Sequence, residues 1–329
     1  MKIRIPLNTL AISLGSTGLA ETWGSAGRNL GWSAVIAEAF WIIAALTSLL
    51  TIAAHAVRGA QSTDTLVSQL KNPVQGPIAA VWPIVGMSSG ANLRQFWPIG
   101  GELVIIASFI VSALFAAWLL AHLMNGQLKL ESVHGGYFLP IAAAAFVAAA
   151  VLPSVGFSSV AIGCFFVGVF FWIFTFILLF ARLAFREPLG APLLPTLAIM
   201  TAPPAVAGVA WLAVNGNRLD SVDYWLATSM VLMLLVQLAF LPRYLKLPFT
   251  LGFWSFTFPF AYTGVYVIEW LGILRPEGWQ AAVITVLTGV TVLVGTIVAR
   301  SIVLVVHDRR DSQHHTADAQ LTVADERIS

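Results

Sequence analysis

Residues 193–214 read LLPTLAIMTAPPAVAGVAWLAV. The stretch carries no charged side chain and is as long as the roughly 20 apolar residues a helix needs to cross a bilayer. Pro203 and Pro204 interrupt it. Proline removes a backbone donor and clashes with the carbonyl one turn back. In hydrocarbon a freed carbonyl is costly unless something satisfies it, so such a helix belongs inside protein or beside a water-filled path.

Outward from this stretch, the same kind of apolar run recurs along the chain. Breaks at polar, Pro or Gly residues give ten spans at about 5–23, 31–56, 76–92, 100–122, 136–153, 157–184, 193–214, 223–242, 249–272 and 279–305. The composition agrees: 58% of residues are hydrophobic and 10% charged, where a soluble chain carries roughly 25% charged residues. The expected fold class is an all-α integral membrane protein. Residues 1–306 form the ten-helix transmembrane domain, and 307–329 a polar tail without apolar periodicity, expected to be disordered. Residues 5–23 are read as a retained first span, because no small-residue cleavage site follows the basic Lys2 and Arg4.

Basic residues orient the spans. With both termini cytoplasmic in a cell membrane, the inner side holds Lys2, Arg4, Arg58, Lys71, Lys129, Arg182, Arg186, Arg243, Lys246, Arg300, Arg309, Arg310 and Arg327. The outer side holds only Arg28, Arg94, Arg218 and Arg275. The net charge of +2 is scattered and supplies no field for nucleic acid.

Proline alternates with the spans. Pro83 lies in the third, Pro140 in the fifth, Pro203 and Pro204 in the seventh and Pro259 in the ninth; the even spans are expected to be free of internal proline. Kinked odd helices forming an inner ring and straight even helices an outer one would make a helical hairpin used five times around a central pathway.

The segments around these prolines carry a resemblance. They are PLNTLAISLGSTGLAETW at 6–23, NPVQGPIAAVWPIVGM at 72–87, residues 134–150, LPTLAIMTAPPAVA at 194–207 and FWSFTFP at 253–259. Together, and in this order, they resemble the tellurite-resistance/dicarboxylate transporter (TDT) family, which includes the plant slow anion channels of guard cells. The resemblance implies ten helices in five hairpins around a central pore, one pore per subunit of a homotrimer. It also implies small inorganic anions or small carboxylates as cargo and the lipid bilayer as surroundings. Two departures stand out: Ser13 where relatives carry a proline or another small residue, and Asn72 before Pro73 where relatives often have His.

Phe258 precedes Pro259, and at 1.5 Å per residue it lies roughly 13 Å into the ninth span, near the middle of a core about 30 Å thick. The resemblance implies that this ring plugs the pore. An aromatic ring in a narrow path excludes water and ions, and its rotation would reopen the path. Ser13, Ser16, Thr17, Thr196, Thr201, Ser255, Thr257 and Thr263 lie in the odd spans. Hydroxyls there would donate to a dehydrated anion without a trapping charge, or bond back to their own helix carbonyls.

By these boundaries no ionisable residue falls near the centre of an odd span, whereas proton-coupled carriers place one within the membrane. Glu21 and Glu269 are expected at outer helix ends, Glu102 at the start of span four, and Glu38 inside span two, where it needs a partner. His134 reads as a helix-end cap rather than a pH sensor. No cofactor or metal site is expected: Cys164 is the sole cysteine, and His314 and His315 are adjacent in the tail. With no H-x-x-H pair, paired intramembrane carboxylates or nucleophile elbow, the sequence does not read as an enzyme. The leading expectation is a gated passive anion channel; the alternative is a C4-dicarboxylate or sulfite/tellurite-type transporter, proton-coupled through Glu38.

Overall fold

A proline within a helix frees the carbonyl four residues earlier, and at Pro83, Pro140, Pro203, Pro204 and Pro259 the chain accommodates this in one way. In the computed structural model, which describes residues 5–126 and 128–306, the freed carbonyls belong to Ala79 (before Pro83), Gly136 (Pro140), Ile199 and Met200 (Pro203, Pro204) and Ser255 (Pro259). All of them fall in short 3₁₀ segments, Gly76–Ala80, Gly135–Phe138, Leu194–Thr201 and Leu251–Phe256. The tighter winding bonds to the residue three back and tolerates the missing donor. Regular helix resumes at or near each proline. A side chain of the neighbouring helix, Ser221–Tyr244, also bonds into the Leu194–Thr201 segment: Gln237 Nε2 donates to the Leu197 carbonyl at 3.0 Å, and Gln237 Oε1 accepts from Tyr244 Oη at 2.7 Å.

The described residues contain helices and no β-strand. In order they are α1 (Leu10–Leu30), α2 (Val35–Ala60), α3 (Leu66–Lys71), α4 (Val81–Leu93), α5 (Pro98–Met124), α6 (Ala144–Val151), α7 (Ser158–Phe185), α8 (Ala202–Asn215), α9 (Ser221–Tyr244), α10 (Thr257–Leu274) and α11, whose apolar part is Trp279–Val306. Among them, eight segments are long and apolar enough to cross a membrane. The two further expected spans differ in kind: α1 is rich in Gly, Ser and Thr, and α4 is a short helix preceded by its 3₁₀ segment.

Burial divides the segments into two sets. In the apolar window of Leu194–Asn215, 78% of residues are buried, against 17% in Pro98–Met124. Gly135–Val155 and Leu251–Leu274 are likewise mostly buried; α2, α7, α9 and Trp279–Val306 are mostly exposed. The exposed helices present large apolar side chains such as Leu50, Leu114, Phe170 and Leu238. Lipid, rather than water, suits such a surface.

Three expectations change. The first long helix does not stop near residue 23 but runs to Leu30, ending where Gly31 adopts φ +69° and its N–H returns to the Gly27 carbonyl. Its polar last turns are tied to α10: Ser25 Oγ donates to Glu269 Oε1 at 2.7 Å, and Arg28 pairs with the same oxygen at 3.3 Å. Glu21 therefore lies in mid-helix instead of at an end. The even segments are not free of proline either. Pro242 lies in the last turn of α9, where few helical bonds remain to be lost. Finally, α1 has no internal proline and is α-helical without interruption from Leu10, with Ser13 inside it. The polar tail 307–329, with His314 and His315, lies outside the described residues.

Candidate functional site: two chambers meeting at an aromatic pair

Two cavities lie among the mostly buried segments. The first, about 240 Å³, is lined by N-terminal parts of five segments: Asn8, Ala11 and Leu14; Gln75, Ile78 and Val81; His134, Gly136 and Leu139; Thr196 and Ile199; and Leu251, Ser255 and Phe258. The second, about 280 Å³, is lined by later residues of the same five: Glu21; Ala91, Arg94 and Gln95; Val147, Ala150, Val151 and Ser154; Val209 and Ala213; and Tyr262. The five segments therefore run in the same direction, with N-terminal ends around the first chamber. Helix dipoles aligned in this way place partial positive charge at that mouth.

Phe258 lines the first chamber and Tyr262 the second. The residues are one turn apart on α10, both are buried, and their ring centroids are 4.5 Å apart at 45°. Gly18 of α1 backs the pair. A methyl group there would sit 2.9 Å from Ala261 Cβ and 3.7 Å from Phe258 Cδ2, so glycine allows α1 to approach at this point.

The hydroxyls divide. Thr196 and Ser255 line the first chamber. Ser16, Thr17, Thr201 and Thr257 donate to the carbonyls of Ile12, Ser13, Ala198 and Trp254 at 2.7–2.9 Å and lie outside both linings, and Thr196 also donates to its own helix, at Leu193. Ser13 faces Thr51 of α2 at 3.4 Å. Thr263 opens onto an apolar groove between α9, α10 and α11. Of the prolines, Pro259 lines the first chamber; Pro83, Pro203 and Pro204 are buried behind it, and Pro140 borders a groove between α5 and α7.

His134 is fixed on both ring nitrogens. Nδ1 accepts from the Gly136 N–H at 3.1 Å, so Nε2 carries the proton it gives to the Val74 carbonyl at 3.0 Å. Tyr137 Oη donates to the neighbouring Pro73 carbonyl at 2.8 Å. The Asn72 side chain accepts from the N–H groups of Val74 and Gln75 and shapes the same turn. Burial pushes the His134 imidazolium down to about 4.

Glu38 accepts from Asn92 Nδ2 at 3.1 Å and lines neither chamber. Glu21 does line one, so an ionisable group stands in the wall after all. The boundary drawn at residue 23 hid it. Tyr262 was hidden among many aromatics; its spacing of four from Phe258 was the available signal.

The family described as voltage-dependent anion channel, SLAC1, matches residues 4–303. The chain belongs to this family. It is 25% identical over 260 residues to the tellurite resistance protein TehA homolog of Haemophilus influenzae, covering 78% of each chain. It is 26% identical over 160 residues to the S-type anion channel SLAH3 of Arabidopsis thaliana, covering 48% of this chain and 25% of that protein. Membership in SLAC1 agrees with the resemblance read from the proline segments.

Proposed function

We propose that this SLAC1-family protein is a gated, passive channel for small anions, closed by the Phe258 ring with Tyr262 behind it. In this reading ten helices form five hairpins, with the buried members around the path and the exposed members against lipid. Both termini face the cytoplasm, and each subunit of a homotrimer carries its own pore. The observation that carries the reading is the meeting of two chambers at one aromatic pair. Aligned N-terminal helix ends favour anions at the first chamber without a fixed cation to trap them. Relatives named as an anion channel and a tellurite resistance protein support anion transport.

A second reading, a carrier for C4-dicarboxylates or for sulfite- or tellurite-type oxyanions, is favoured by Glu21, an ionisable group in the wall of the second chamber. Flux from proteoliposomes separates the two. A channel passes chloride and nitrate down their gradients with no proton gradient. A proton-coupled carrier requires that gradient and loses its coupling in Glu21→Gln.

A further inference from the structure

The two chambers differ in charge. Among the described residues, no Lys, Arg, Asp or Glu side chain lines the first. The second is lined by Arg94, Glu21, Gln95, Ser154 and Tyr262. Arg94 is thus the one permanently cationic side chain lining either chamber among the described residues. It caps the C-terminal end of α4, its N–H bonded to the Gly90 carbonyl at 3.0 Å. That position alone would make it a complement to the helix dipole. Its side chain indicates more. Arg94 Nε is buried with no hydrogen-bond partner. The ion pairs among the described residues join Arg28 to Glu269 and Arg186 to Glu131, leaving Arg94 out. Its root is fixed by α5: a methyl group at Gly101 would meet Arg94 N and Cα at 2.5 Å, so this glycine lets the helices close on the arginine.

A buried donor without an acceptor is costly, and a guanidinium presents its N–H groups as a planar fork that fits two oxygens of one anion. We propose that the second chamber holds a binding site for a small monovalent oxyanion, centred on the Arg94 guanidinium. Glu21 lies in the same wall, and its ionised form opposes anion binding there. Weak binding is what conduction requires, since an ion held by an unopposed arginine would leave slowly. Binding at this site does not depend on the channel reading; only its consequence for flux rests on that reading.

Thermal unfolding in detergent, with nitrate compared against gluconate at equal ionic strength, tests the site without any flux measurement. A ligand that binds the folded state raises its melting temperature, its stabilisation growing as the logarithm of one plus the ratio of ligand concentration to Kd. Nitrate should stabilise the wild-type protein. Arg94→Gln should need at least about tenfold more nitrate for the same shift, and Glu21→Gln about threefold less. Arg94→Lys, which keeps the charge and loses the fork, should respond equally to nitrate and chloride. No nitrate response in the wild type overturns the proposal, as does an Arg94→Gln response equal to wild type. If Arg94→Gln does not fold, an unchanged response in Glu21→Gln overturns it. An Arg94-dependent nitrate response in a protein that Phe258→Ala fails to open leaves the site standing and removes the channel reading.

Discussion

Phe258 and Tyr262 stand one turn apart on α10 with ring centroids 4.5 Å apart, and each ring faces a different chamber. In the proposed gate the barrier between the chambers is two rings deep. Pro259 sits between them and leaves the Ser255 carbonyl without its usual donor, in the 3₁₀ segment before α10.

The two rings should act together. Tyr262→Ala alone should raise anion flux less than Phe258→Ala, and the double substitution should exceed the product of the single effects, because either remaining ring still obstructs the path. Flux assays on the four proteins give the coupling directly. Independent, multiplicative effects would mean that the rings do not share one barrier.

Gly18 should tolerate no side chain without loss. In Gly18→Ala the new methyl meets Ala261 Cβ at 2.9 Å, forcing α1 and α10 apart. Overpacking of this kind costs about 1–3 kcal/mol. The melting temperature in detergent should fall, and the displacement beside Phe258 should change basal flux. An unaltered melting temperature would show that α1 yields easily here.

Acid should weaken the fold through His134. Its folded pKa of about 4 lies below the ordinary 6.5 because burial disfavours the charged ring. The unfolded chain therefore takes up the proton first as pH falls. Stability from the neutral ring is complete above about 6.5 and is lost progressively as pH falls towards about 4, by an amount on the order of 2–3 kcal/mol. Melting temperature measured across this window should slope downward with acid, and the slope should flatten in His134→Gln. Equal slopes would place the acid sensitivity elsewhere.

The start of α9 is held by a reciprocal cap. Asp220 accepts from the N–H groups of Val222 and Asp223, and Asp223 Oδ2 accepts from the Asp220 N–H at 3.1 Å. Asp220→Ala should cost about 1 kcal/mol, read as a lower melting temperature with flux unchanged. A larger effect on flux would tie this end of α9 to the path.

Much of this architecture is legible in the prolines. Their recurrence at Pro83, Pro140, Pro203, Pro204 and Pro259 marks segments that are mostly buried in the structure, because only surrounding protein satisfies the carbonyls they free. The length of α1 was not legible. Gly24, Ser25, Gly27 and Asn29 read as the end of a span, but Ser25 and Asn29 find the Glu269 carboxylate across α10, and a hydrophobicity pattern carries no information about such partners. Glu21 was misplaced with that boundary. The hydroxyls illustrate the same limit: helical spacing places Thr17 and Thr201 in the right helices, yet which side of the helix faces the chamber depends on tertiary packing.

In the proposed mechanism the Phe258 ring closes a continuous anion path. Chloride and nitrate conductance across a planar bilayer, recorded for wild type and Phe258→Ala at equal pH on both sides, tests it most directly. Wild-type currents should be small, and conductance at least about tenfold larger in Phe258→Ala, carried by anions with no proton gradient. A Phe258→Ala protein that folds normally and conducts no more than wild type would contradict it.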